Sequence, residues 1–163
     1  MPNVKSVPVQ FAPRTSLGNT PFSGPESLEA RSNCQGELIL IRGLPGSGKS
    51  TMAKVLALVG FEHYEADMFF VVNGQYRYDA SRIRDAHRWC QLMTRQALAK
   101  GEKVVVSNTF TQLREMEPYL TMTKNIRVVE ATGKWQNRHG VPGQMLERMA
   151  QRWEPLPAEM PSA

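Results

Sequence analysis

The sequence has almost no cysteine. Cys34 and Cys90 stand far apart, with no CxxC pair and no metal-ligand spacing. A disulfide-stapled scaffold and a cysteine zinc site are thereby excluded, and a reducing, cytoplasmic setting is expected. Long hydrophobic runs are missing too. The opening MPNVKSVPVQFAPRTS has none long enough for a signal peptide, and no later run could span a bilayer, so no membrane partner is expected. No internal repeat is visible.

What is present suits one soluble domain. With 163 residues, 41% of them hydrophobic and 21% charged, the chain can bury a core without staples. The net charge of +5 allows a polyanionic partner without demanding one. The excess is local. Arg77, Arg82, Arg84, Arg88, Arg95, Lys100 and Lys103 face only Asp79, Asp85 and Glu102 between residues 77 and 103. This stretch is either a solvated helix face or one wall of a phosphate-backbone groove.

Residues 1–35 are rich in Pro, Ser, Gly and Asn without apolar periodicity and read as a flexible tail. The ordered domain is expected over 36–155, with 156–163 as a C-terminal tail. ELILIR (37–42) predicts a buried strand, and GLPGSGKST follows at once. Residues 49–59 predict a helix with Met52, Ala53, Leu56 and Val59 on one face, ended by Gly60. HYEA (63–66) predicts a second strand. The Asn-Gly inside FFVVNGQYRY predicts a type I′ hairpin. Asp79 can cap a long helix running to Lys100, with a stripe of Ile83, Ala86, Cys90, Met93 and Ala97. On that helix Trp89 is either core or a stacking surface for a base.

KVVVS (103–107) predicts a third strand, and Thr109 with Gln112 a capping box for the next helix. IRVVEA (126–131) predicts a fourth strand, followed by a polar, basic loop over 133–140. Pro142 suits the first turn of a last helix that buries Met145, Leu146, Met149, Ala150 and Trp153. Strands alternating with helices predict an α/β layer fold with a mostly parallel sheet.

Residues 43–50, GLPGSGKS, fit the phosphate-loop pattern G-x-x-x-x-G-K-[ST] between a strand and a helix. Its glycines let backbone N–H groups converge on one anion at a helix N-terminus. Gly43, Gly46, Ser47, Gly48, Lys49, Ser50 and Thr51 are the expected nucleotide-binding residues. Lys49 can reach the β- and γ-phosphates, and the Ser50 hydroxyl can ligate Mg²⁺. No NKxD-type guanine signature follows, so ATP is the expected nucleotide.

Many phosphate-loop enzymes end a buried strand in an aspartate that helps hold Mg²⁺. Here the third strand ends in Ser107 and Asn108 instead. Another acid, Asp67, sits at the carboxyl end of the second strand, where a nucleotide crevice should open. It can accept the proton of an attacking hydroxyl, support the metal through water, or stabilise the turn before the hairpin.

Four stretches together resemble the P-loop polynucleotide 5′-kinase family: ILIRGLPGSGKSTMAKVL, EADMFFVVNGQYRYDASRIRDAHRWCQ, VVVSNTFTQLREMEPYL and WQNRHGVPGQMLERMAQRWEP. The likeness is greatest to the small kinase-like domains of phage and bacterial ATP-binding proteins, and it runs over residues 37–155. It implies a three-layer sandwich with strand order 2-3-1-4 and a basic lid before the last helix. It also implies that Asp67 is the general base that activates a 5′-hydroxyl. Several family positions differ. Met68 replaces a second aspartate, Phe70 an arginine used on substrate phosphate, Ser107 an acid, Phe110 an amide and Gln136 the lid arginine. Arg138, two residues beyond Gln136, is the candidate to supply that lost charge. His139 is either a phosphate contact or a structural residue of the glycine turn.

The resulting expectation is an ATP-dependent phosphotransferase using Mg²⁺, with Asp67, Lys49 and Arg138 as catalytic residues and a DNA or RNA 5′ end as acceptor. Two alternatives stay open: a small-molecule or nucleoside kinase with the same loop, and a non-enzymatic ATP-binding module. No protein partner is assigned.

Overall fold

The computed structural model describes residues 36–136 and 140–160. In chain order these form β1 (Leu38–Arg42), α1 (Lys49–Leu58), β2 (Phe61–Tyr64), a short 3₁₀ turn (Ala66–Phe70), β3 (Val71–Val72) and β4 (Gln75–Tyr76). Then come α2 (Ile83–Ala99), β5 (Lys103–Asn108), α3 (Glu117–Leu120), β6 (Ile126–Glu130) and α4 (Gly143–Gln151). The N-terminal stretch expected as a tail lies outside the described residues. Among the described residues no helix is long and apolar enough to cross a membrane.

The main sheet is parallel and runs β2-β5-β1-β6. This is the expected strand order and an α/β fold. Side chains alternate across it and build two cores. Leu38, Leu40, Val104, Val106 and Val128 pack with Cys90, Ala97 and Leu98 of α2 and Tyr119 of α3. Ile39, Ile41 and Val105 pack on the other face with Ala53 of α1. A parallel sheet covered on both faces needs continuous apolar strands, which is why Val104 to Val106 show no alternation. Leu156 and Met160, in the stretch expected as a C-terminal tail, pack half-buried against the first core.

Several local expectations shift. The second strand begins at Phe61 rather than His63. In α1 only Ala53 of the expected face is buried. Val59 is already the C-cap, so it falls off the stripe. The capping box uses Gln112 and Glu115, not Thr109 and Gln112. The reason is Phe110, whose φ of 45° bends the chain before the box can form. Helix α4 contains no fully buried residue. Its Leu146 and Ala150 line an open cavity beside the phosphate loop instead. The hairpin is as expected: Asn73 and Gly74 both have positive φ (52° and 75°), the geometry of a type I′ turn.

Arg42, at the end of β1, is fully buried. Its Nη2 donates to the carbonyls of Thr111 (3.4 Å) and Glu154 (2.8 Å), and its guanidinium stacks 3.9 Å from the Trp153 ring. It pins the end of the chain's last helix to the sheet. Arg42→Lys loses both the planar stack and the reach to the carbonyls. We expect a loss of about 1–3 kcal/mol in urea unfolding, because buried acceptors are left short of a donor. An unchanged midpoint would show that this clamp contributes nothing.

Candidate active site

The phosphate loop joins β1 to α1 and needs its glycines. Gly46 and Gly48 have φ of 81° and 93°, in the left-handed region. A Cβ on Gly43 would come within 2.3 Å of the Ser47 hydroxyl and 2.8 Å of the Ala131 carbonyl. Ser47 N–H donates to the Leu44 carbonyl (3.0 Å), which closes the turn. No side chain caps α1, so its first N–H groups remain available to an anion. The buried Ser47 hydroxyl also has no partner among the described residues. Thr51, the third residue of α1, is exposed.

Lys49 donates through Nζ to the Leu44 carbonyl at 3.1 Å, a neutral partner that a phosphate can displace. Burial lowers its ammonium below the ordinary value, while the Glu65 and Asp67 carboxylates oppose that shift. Both acids therefore lie within the electrostatic reach of the loop lysine. Asp67 sits in the 3₁₀ turn that follows β2, half-buried. Tyr76 of the hairpin lies within its electrostatic reach.

Asn108 explains how this turn is held. Its Oδ1 accepts the Ala66 N–H at 2.9 Å, tying the residue before Asp67 to the end of β5. Next to Asn108, Ser107 donates to Glu65 Oε1 at 2.5 Å, and His63 Nε2 lies 3.0 Å from both groups. Ser50 of the phosphate loop also lies within electrostatic reach of Glu65. Burial alone would raise the Glu65 carboxyl, but His63, Ser107 and Ser50 outweigh it and hold it down at about 2. A carboxylate at this place was not expected from the sequence, which showed only that an acid, in YEAD, follows β2.

Trp89 is packed as core, with ring centroids 6.3 Å from Tyr64 and 6.4 Å from Phe69. The seven basic residues between 77 and 103 are all exposed. Arg82 stacks 4.7 Å from the Phe69 ring and pairs with Asp85 at 3.5 Å. Tyr76 and Tyr78 of the hairpin side are half exposed (50% and 56%), although both lie against Phe70.

Residues after β6 cross the phosphate loop. Trp135 N–H donates to the Gly46 carbonyl (2.8 Å) and Gly133 N–H to the Ser47 carbonyl (3.2 Å). The Trp135 ring lies over Gly48, where a Cβ would meet it at 2.7 Å. Beside this strap, Pro45, Trp135, Leu146 and Glu147 border a cavity of about 470 Å³ that opens onto Gly46. Gln136 is exposed. Arg138, with Asn137 and His139, lies outside the described residues.

Among the described residues no three His, Cys, Asp or Glu form a metal cage. Nucleotide-bound Mg²⁺ does not need one, since phosphates and water fill most of its octahedron. The oxygens of Ser50 and Glu65, both within electrostatic reach of the loop, are hard donors of the kind such an ion takes.

A family model described as an AAA domain matches residues 38–152. NEDD4-binding protein 2 from Homo sapiens is 32% identical over 133 residues, which cover 72% of this chain but only 8% of that protein. A sugar kinase from Janibacter sp. HTCC2649 has a TM-score of 0.60 at 15% identity, over 78% of this chain and 83% of that one. A chain of the Pnkp1/Rnl/Hen1 RNA repair complex has a TM-score of 0.52 at 17% identity, over 80% of this chain and 43% of that one. At such identities the two structures share the fold alone.

Proposed function

The chain belongs to the AAA-domain family and is a P-loop kinase-like domain, and on that premise we propose that it transfers the γ-phosphoryl group of ATP to a 5′-hydroxyl end of DNA or RNA. The observation that carries this reading is the placement of Asp67. It stands in the turn after β2 that Asn108 ties to the end of β5, within electrostatic reach of Lys49 and of Tyr76 of the hairpin.

In this reading the loop amides from Gly46 to Ser50 and the Lys49 ammonium hold the triphosphate. The cavity beside Trp135 has room for the nucleoside. Ser50 helps hold Mg²⁺, which when bound would draw negative charge from the phosphate oxygens. Asp67 accepts the proton of the acceptor hydroxyl. The acceptor oxygen bonds to the γ-phosphorus, the bond to the β–γ bridging oxygen breaks, and its electron pair leaves with ADP. Arg138 is proposed to stabilise the charge on the transferring group.

The acceptor class rests on the surface around Asp67. Small ligands are usually enclosed in concave sites. Here the hairpin offers half-exposed Tyr76 and Tyr78, with Arg77, Arg84 and Arg88 exposed nearby in sequence. Aromatic faces stack bases and arginines pair with backbone phosphates. The test is ADP release with a series of acceptors. Release should rise with 5′-hydroxyl oligonucleotides as their length grows from a dinucleotide, and should fall with added salt. Equal stimulation by a free nucleoside or a sugar would assign a small-molecule acceptor.

A further inference from the structure

Strand β5 ends without an acid, yet the position is not without a carboxylate. The β2–β5 pairing brings Tyr64 opposite Val106. The next residue of β2's path, Glu65, therefore arrives beside Ser107, and its Oε1 accepts the Ser107 hydroxyl at 2.5 Å. The end of β5 adjoins the phosphate loop, where Gly43 N–H donates to the Thr109 carbonyl at 3.2 Å, so this carboxylate lies within electrostatic reach of Ser50 and Lys49, and His63 Nε2 lies 3.0 Å from it. Its side chain is only 14% exposed. A buried carboxylate tied to both Ser107 and His63 is fixed in one place.

We propose that Glu65 is a positioning residue that takes over, from the neighbouring strand, the place of the acid missing at Ser107: it orients the Ser50 hydroxyl and supports Mg²⁺ on a bound nucleotide. In this arrangement Ser107 is no longer a lost acid. It is the hydroxyl that holds the relocated one. The enzyme keeps one negative charge beside Ser50 and does not crowd two.

This inference rests on the reading that the loop binds ATP with Mg²⁺, and the test separates the two. ATP affinity is measured by calorimetry without acceptor, once with Mg²⁺ and once with a chelator. The parent chain should bind ATP more tightly with Mg²⁺. Glu65→Gln, which keeps the shape, should leave the metal-free affinity within about twofold. It should reduce the Mg²⁺ advantage by about 10–100-fold, the usual cost of losing a supporting group at a metal. The paired exchange Glu65→Ser with Ser107→Asp moves the carboxylate back to β5 and should restore most of that advantage. A merely structural Glu65 would lower both affinities together, and the exchange would restore neither. A parent with no Mg²⁺ advantage overturns the nucleotide reading and this inference with it. A clear advantage in the parent that Glu65→Gln fully retains overturns this inference alone.

Discussion

Lys49→Ala should abolish transfer while the domain stays folded. The side chain supports no core cluster. Its one hydrogen bond is to the Leu44 carbonyl, 3.1 Å away, within the loop itself. With ATP bound, the ammonium exchanges that neutral carbonyl for phosphate oxygens, a charge-assisted bond about twice as strong. Losing it should weaken ATP binding by about 10–100-fold, the worth of one hydrogen bond to a charged group. Turnover should fall further, by about 10³-fold, because charge grows on the transferring group beyond its ground-state value. Burial already lowers the ammonium of Lys49, against the pull of Glu65 and Asp67. The alanine variant should therefore melt no lower than the parent. Calorimetry, single-turnover kinetics and thermal melting read the three effects separately. Undiminished activity would remove the phosphate loop from the chemistry.

Asp67→Asn should show the opposite division. The amide keeps the size of the side chain and leaves the Ala66 N–H bond to Asn108 untouched, so the turn after β2 should persist. What it loses is the ability to take a proton. Turnover should fall by about 10²–10⁴-fold, the range for a general base, with ATP affinity nearly unchanged. Normal turnover would leave Asp67 the role of stabilising the turn. Tyr76→Phe separates the roles further. It removes a hydroxyl within electrostatic reach of Asp67 and should cost less than the loss of the carboxylate itself.

The phosphate loop was fully readable, because its function demands residue types at set intervals and those types are rare together. The strand order also followed from the resemblance. Glu65 was not readable, for a physical reason. Its meeting with Ser107 and Ser50 depends on the register of β2 against β5, which apolar strands set through packing rather than through any local motif. Arg42 is a second case. ELILIR shows only that an arginine closes the strand, while the Glu154 carbonyl and the Trp153 ring that hold it lie more than a hundred residues later. Helix α4 failed for the converse reason. Its apolar stripe is real, but it borders the cavity at the phosphate loop, so periodicity named the face and not what the face meets.

The measurement that tests the central claim most directly is the fate of the γ-phosphate. The chain is incubated with γ-labelled ATP, Mg²⁺ and an oligonucleotide carrying a 5′-hydroxyl. Controls carry a 5′-phosphate, a free nucleoside, a sugar or no acceptor. The account predicts label on the 5′-terminal nucleotide alone, recovered as a labelled 5′-mononucleotide after nuclease digestion and lost in Asp67→Asn. Label on the nucleoside or the sugar, or tight ATP binding with no label on any acceptor, would contradict it.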